Sequence, residues 1–251
     1  MYTKYIVLST PRTGSNYLVH LLSSHPHVKS YGELYNPRLL YGNPKRTTID
    51  IFPGNVLFPL ARSLSPAITL QSFIYKSYNN NPQAVGFKIF YGHAKHGSQR
   101  NVWSYLKTQR DIHIVHLTRG NWLASLASFY VARQTKKFIQ FSDENSQMRT
   151  SIAIEPSACL EYFEELDAFQ NYYRRFFANH PWFHIQYENL TNPSSNCVVL
   201  LQRFLRVSIR QLSAPTTKQE RRPLHQVITN YSTLSKYFEH TKWRRFFHSS
   251  V

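Results

Sequence analysis

Short apolar runs alternate along this chain with longer stretches of helical periodicity, and that alternation restricts the fold more than any other feature. Tyr5 to Ser9, Ala84 to Phe90, Ile112 to Thr118 and Trp182 to Tyr187 each read as a strand, rich in apolar and β-branched residues. Between them lie segments with one apolar helical face. Asn16 to Ser24 presents Tyr17, Leu18, Leu21 and Leu22. A second stripe follows Gly120 with Leu123, Leu126, Ala127, Tyr130 and Val131, and Asn121 is its natural N-cap. Ser157 to Ala178 (entered through Pro156), Ser194 to Leu205 and Asn230 to Glu239 complete the helical set. Strands joined by helices imply an α/β fold: one P-loop-like domain over 1–251, with a mostly parallel central sheet flanked by helices on both faces. The stretch from Tyr41 to Pro66 holds four prolines and reads as irregular.

A sheet of this kind takes its ligands beyond the carboxyl ends of its strands, so the strand-to-helix turns are where chemistry is sought. The first turn runs Ser9-Thr10-Pro11-Arg12-Thr13-Gly14-Ser15-Asn16-Tyr17. Gly14 lets the backbone turn tightly, and the amides that open the next helix are left to meet an anion. The Arg12 guanidinium and the hydroxyls of Thr13 and Ser15 add donors suited to phosphate or sulfate oxygens. The Gly-Lys-Ser/Thr ending of a Walker loop is missing, which weighs against a nucleotide-dependent kinase. Cys159 and Cys197 lie far apart, with no Cys-x-x-Cys and no His-Glu-x-x-His, so no metal site is expected and both thiols read as buried apolar groups. A Gly-x-Ser-x-Gly nucleophile elbow is also missing.

Thirty Lys and Arg face thirteen Asp and Glu, a net charge of +17. Nucleic acid, an anionic membrane surface and a highly charged substrate all suit such a field. The basic residues are spread along the chain, so charge alone does not choose among the three. The first apolar run meets a proline and an arginine too soon for a signal peptide, and no run is long enough to span a bilayer. A cytoplasmic setting is the expectation.

Taken in order, the motifs resemble those of sulfotransferases that use 3′-phosphoadenosine 5′-phosphosulfate. Pro11 to Leu18 resembles that family's 5′-phosphosulfate loop, which implies cofactor contacts from Arg12, Thr13, Gly14, Ser15, Asn16 and Tyr17. His116-Leu117-Thr118-Arg119 and the helix carrying Ser128-Phe129-Tyr130 resemble its 3′-phosphate site, implying Arg119 and Ser128. The family's spacing falls on neither Ser125 nor Ser128, and the sequence context favours Ser128. Gly32-Glu33-Leu34, Val85-Gly86-Phe87-Lys88, Val131 to Thr135 and the block Lys218 to Leu224 are similar to bacterial nodulation-factor (lipochitooligosaccharide) sulfotransferases.

The resemblance implies roles for these residues. Glu33 would be the general base that takes the acceptor's hydroxyl proton, held by a loop from the first βα unit. Arg12 would steady the departing 5′-phosphate without a metal. Lys218 and Gln219 would close over the nucleotide. Lys88 and Arg133 are candidates for the acceptor side; a strand-end lysine in solvent is the alternative for Lys88. The function implied is sulfuryl transfer to a hydroxyl of a carbohydrate or glycolipid, leaving adenosine 3′,5′-bisphosphate. Nucleic acid is then not an expected partner, and the basic surface leaves room for peripheral contact with an anionic membrane. The competing readings are a basic nucleic-acid-binding module and a P-loop-type small-molecule kinase.

Overall fold

The computed structural model describes residues 2–36, 65–141, 150–216, 220 and 222–248. Five strands, β1 (Thr3–Ser9), β2 (Val28–Glu33), β3 (Ala84–Phe90), β4 (His113–Thr118) and β5 (Trp182–Gln186), form one parallel sheet in the order β2-β3-β1-β4-β5. The chain starts in the middle of the sheet, runs to the β2 edge, returns through β3 and then crosses to β4 and β5. The carboxyl end of β1 is therefore the switch point, flanked by the ends of β3 and β4. Ligands in open parallel sheets bind at such a point.

Side-chain alternation along β1 explains why it reads as one apolar run. Tyr5 and Val7 face one buried layer with Leu18, Leu21, Leu22, Val115, Leu117 and Ile185. Ile6 and Leu8 face the other, with Phe87, Ile89, Ile114, Leu123 and Phe163. Both faces are covered, as an all-parallel sheet requires. The principal helices are α1 (Ser15–Ser23), α2 (Asn101–Thr108), α3 (Trp122–Thr135), α4 (Pro156–Phe176), α5 (Tyr187–Thr191) and α6 (Cys197–Phe204). Asn121 caps α3 as its sequence implies: its side-chain oxygen accepts from the Ala124 amide at 3.0 Å. Cys159 and Cys197 are both buried.

Several elements depart from the sequence expectations. Val28–Glu33 is a strand rather than a loop, and it lies at the sheet edge where polar members such as Lys29 and Ser30 are tolerated. Glu33 is its last residue and pairs with Lys88 across a register shift at Gly32. Tyr187 opens α5 instead of closing β5. Helix α2 (Asn101–Thr108) adds an element that the apolar pattern did not flag. Of the irregular stretch, 41–64 lies outside the described residues, and Pro66 begins a short helix capped by Ser65.

Gly86, in β3, is constrained by packing. A Cβ built there would sit 2.4 Å from the Tyr5 carbonyl oxygen and 2.5 Å from its ring, and the backbone atom cannot swing aside. Gly86→Ala should destabilise the fold by about 1–3 kcal/mol through overpacking, read as a lower melting temperature. An unchanged melt would show that β1 and β3 separate more easily than the register implies.

Candidate functional site

The turn after β1 is built around two left-handed residues, Arg12 (φ 66°) and Gly14 (φ 80°). Alternating handedness of this kind turns successive amides toward one point and makes an anion-binding concavity. Thr13 braces the turn by donating its hydroxyl to Thr10 O at 2.8 Å. Gly14 is required twice over: its φ is positive, and an added Cβ would lie 2.2 Å from the Tyr187 ring.

Above this turn is a cavity of about 700 Å³, lined by Arg12, Gly14 to Tyr17, Arg119, Ser128 and Tyr187 among others. Nucleotide-sized ligands take pockets in this range, roughly 300–1,000 Å³. Arg12 donates from Nε to Ser128 Oγ (3.0 Å) and from Nη1 to Phe138 O (2.6 Å). Arg119 donates from Nη1 to Arg12 O (3.2 Å) and Ala124 O (3.3 Å), and lies 5.2 Å over the Tyr187 ring. Burial, then the nearby charge of Arg119, lowers the Arg12 pKa to about 10. Burial also lowers that of Arg119, against the pull of Tyr187 and Glu188. Both guanidiniums remain charged at neutral pH and repel one another, a field that an entering anion relieves. Ser128 lines this cavity; Ser125 does not, and is buried facing Tyr162.

A second cluster sits on the β3 side of the turn. Lys88 is buried, with 1% of its surface exposed, so the reading as a solvated strand-end cation is corrected. Its Nζ pairs with Glu33 Oε1 at 2.9 Å, donates to Ser15 Oγ at 3.4 Å and bonds Asn16 Oδ1. Glu33 Oε2 also accepts from Asn36 Nδ2 at 2.6 Å and lies 3.9 Å from His93 Nε2. Burial would raise the Glu33 pKa, but Lys88, aided by His93 and Asn36, outweighs it and lowers it below the ordinary value of 4.5. Lys88 thus links the carboxylate to the first residues of α1 and joins the two clusters.

The other expected residues are less central. Arg133 is exposed near the end of α3, 5.7 Å from the Phe129 ring, and borders a different hollow with Gln134 and Ile152. Lys218 and Gln219 lie outside the described residues; their neighbours Glu220 and Arg222 line the large cavity, with Arg222 donating to Glu220 and to Thr150 O. Tyr187 opens the Tyr187-Glu188-Asn189-Leu190 segment that resembles a sulfotransferase motif, whereas His93 carried no motif of its own. The sequence signal for His93 is its place, the third residue past β3.

The architecture has a known counterpart. The fold matches that of a solved sulfotransferase from Alicyclobacillus acidocaldarius, with a TM-score of 0.51 at 14% identity, covering 100% of this chain and 97% of the other. No family model matches the chain. Nodulation protein H of Rhizobium meliloti (strain 1021) is 28% identical over 247 residues, 97% of this chain and 94% of the relative. The Rhizobium tropici protein of the same name is 28% identical over 249 residues, covering 97% and 92%. The chain thus shares its fold with a solved sulfotransferase and is similar along nearly its whole length to nodulation protein H. Among the described residues no helix is long and apolar enough to cross a membrane.

The Lys88–Glu33 pair predicts a pH signature. A carboxylate whose folded-state pKa is lowered adds stability that is present above its unfolded value and lost as pH falls through the folded one. Wild type should therefore melt above Glu33→Gln at neutral pH, and the gap should shrink as pH drops below 4.5. Removing the partner of a buried ammonium is destabilising, so the substitution also tests the fold, not chemistry alone. A gap independent of pH would show that Lys88 does not depend on the carboxylate charge.

Proposed function

We propose that the protein transfers a sulfuryl group from 3′-phosphoadenosine 5′-phosphosulfate to a hydroxyl of a carbohydrate or glycolipid, over a single domain spanning 1–251. The observation that carries this reading is the pair of half-buried guanidiniums, Arg12 and Arg119, on the wall of one cavity beside the Arg12–Gly14 concavity. The pair offers two separate anion sites of the kind a nucleotide with both 5′ and 3′ charges needs. The donor, when bound, supplies an activated sulfuryl group on a phosphate leaving group.

The chain's own residues do the rest. Arg12 and the amides from Thr13 to Tyr17 hold the 5′ end and steady the negative charge that grows on the leaving phosphate. Arg119 and Ser128 hold the 3′-phosphate, and the segment with Lys218 and Gln219 closes over the nucleotide. Glu33 accepts the hydroxyl proton, and Lys88 keeps that carboxylate ionised and near α1. A carboxylate with a lowered pKa is a modest base, suited to a proton that leaves as the oxygen bonds to sulfur rather than before. Arg133 is assigned to the outer acceptor surface. Relatives named for nodulation, and the resemblance to lipochitooligosaccharide-modifying enzymes, favour a carbohydrate acceptor. The same carbohydrate reading leaves nucleic acid without a role.

Adenosine 3′,5′-bisphosphate should bind at least about tenfold tighter than adenosine 5′-monophosphate, since one charge-assisted hydrogen-bond set is worth roughly 1.5–3 kcal/mol. Calorimetry reads this directly. Arg119→Ala should remove most of the preference, and equal affinities in wild type would refute the two-site reading.

Glu33→Gln should lower single-turnover transfer by roughly 10²–10⁴, assayed at a temperature where both proteins are folded. Transfer as fast as wild type would move the base elsewhere. Activity should persist in excess chelator, because arginines and amides supply the charge; strict magnesium dependence would contradict this.

A further inference from the structure

His93 lies just past β3 in a turn that fixes its ring from several sides. Its amide donates to Phe90 O at 2.9 Å, and its carbonyl accepts from Trp103 Nε1 at 3.0 Å. The ring packs on Phe90 with centroids 4.8 Å apart, and the residue is buried. The Phe90 amide donates to His93 Nδ1 at 3.3 Å.

That last bond decides the tautomer. A backbone amide only donates, so Nδ1 must offer its lone pair and the neutral ring carries its proton on Nε2. Nε2 is the nitrogen that faces Glu33 Oε2 at 3.9 Å. A ring in this state has no lone pair on that side with which to take a proton from an acceptor hydroxyl. It has an N–H to give to the carboxylate, across a gap of the kind that closes in a reactive complex.

The geometry points to His93 as a positioning residue for sulfuryl transfer: its Nε2–H, with Lys88 on Oε1 and Asn36 on Oε2, fixes the Glu33 carboxylate so that one remaining lone pair faces the incoming hydroxyl. This rests on Glu33 being the base, and it excludes His93 from that role. Among the described residues, the charged and titratable groups paired with the carboxylate are Lys88 from β3 and His93 from the turn. His20 on α1 is near enough to feel the Lys88 charge.

Two substitutions divide the ring's functions. In His93→Asn the amide stands in for Nδ1 and keeps a partner for the Phe90 amide, but loses the donor toward Glu33. In His93→Gln the side-chain amide nitrogen reaches the Nε2 position and restores that donor. With N-acetylglucosamine tetramer as acceptor probe and saturating donor, His93→Asn should lose roughly tenfold in kcat with little change in KM, as for a lost hydrogen bond to a charged group. Its acidic pH limb should move up by roughly one unit, because Glu33 loses a donor that favours its ionised form. His93→Gln should recover most of both.

The second readout needs no acceptor. Long-range ¹H–¹⁵N correlation on histidine-labelled protein, with His93→Asn as the assignment control, should show a protonated Nε2 and a bare Nδ1. An Nδ1–H tautomer overturns the inference, as does a His93→Asn enzyme with wild-type kcat and an unmoved limb. A wild type that sulfates no carbohydrate probe counts against the acceptor reading alone, and the tautomer then decides for His93.

Discussion

A lysine ammonium with almost no access to water must find its charge partner where it sits, and Lys88 finds Glu33 directly across the β2–β3 ladder. Either ion alone would be costly to bury; together, with Asn36, Ser15 and Asn16 taking the remaining hydrogen bonds, they hold an edge strand, a central strand and a helix start in one arrangement. The distance between the carboxylate and the anion-binding turn is set by this one contact. Moving β2 by a single residue would put Glu33 on the wrong face and leave Lys88 uncompensated.

The other cluster works by the opposite logic. Arg12 and Arg119 are brought together with hydrogen bonds to neutral oxygens, Ser128 Oγ, Phe138 O, Arg12 O and Ala124 O. Like charges held close under partial burial raise the free energy of the ligand-free protein and lower it again when an anion enters. One half of the site pairs opposite charges directly, and the other sets two like charges side by side. The link between them is the first turn of α1, where Ser15 and Asn16 touch Lys88 and also line the cavity with Arg12.

Much of this was legible in the sequence, and the reasons differ by element. The run Ala84–Phe90 gave its strand to the residue because both its faces are buried and both must be apolar. Asn121 announced the start of α3 because few residue types can satisfy orphan amides there. Strand β2 was hidden because an edge strand tolerates Lys29 and Ser30, which erases the apolar signal. The burial of Lys88 was hidden for a related reason: a lysine near the end of an apolar run looks solvated until its partner, far away in sequence, is known. The motif residues Arg12, Arg119 and Ser128 do meet at one cavity, whereas Arg133 stands apart from it.

The position of β2 in the strand order has a consequence for how such a protein can diversify. Among the described strands β2 has a single ladder neighbour, β3, while the turn after β1 is hemmed in by strands on both sides. The anion-binding turn is thus packed into the core, and a substitution there disturbs packing in every direction. The Glu33 end of β2, which the proposed function gives to the acceptor, lies at the margin, where residues flanking the edge can be exchanged while the sheet behind them stays intact. Under the proposed function, a protein built on this plan can change its acceptor without rebuilding the site for its donor.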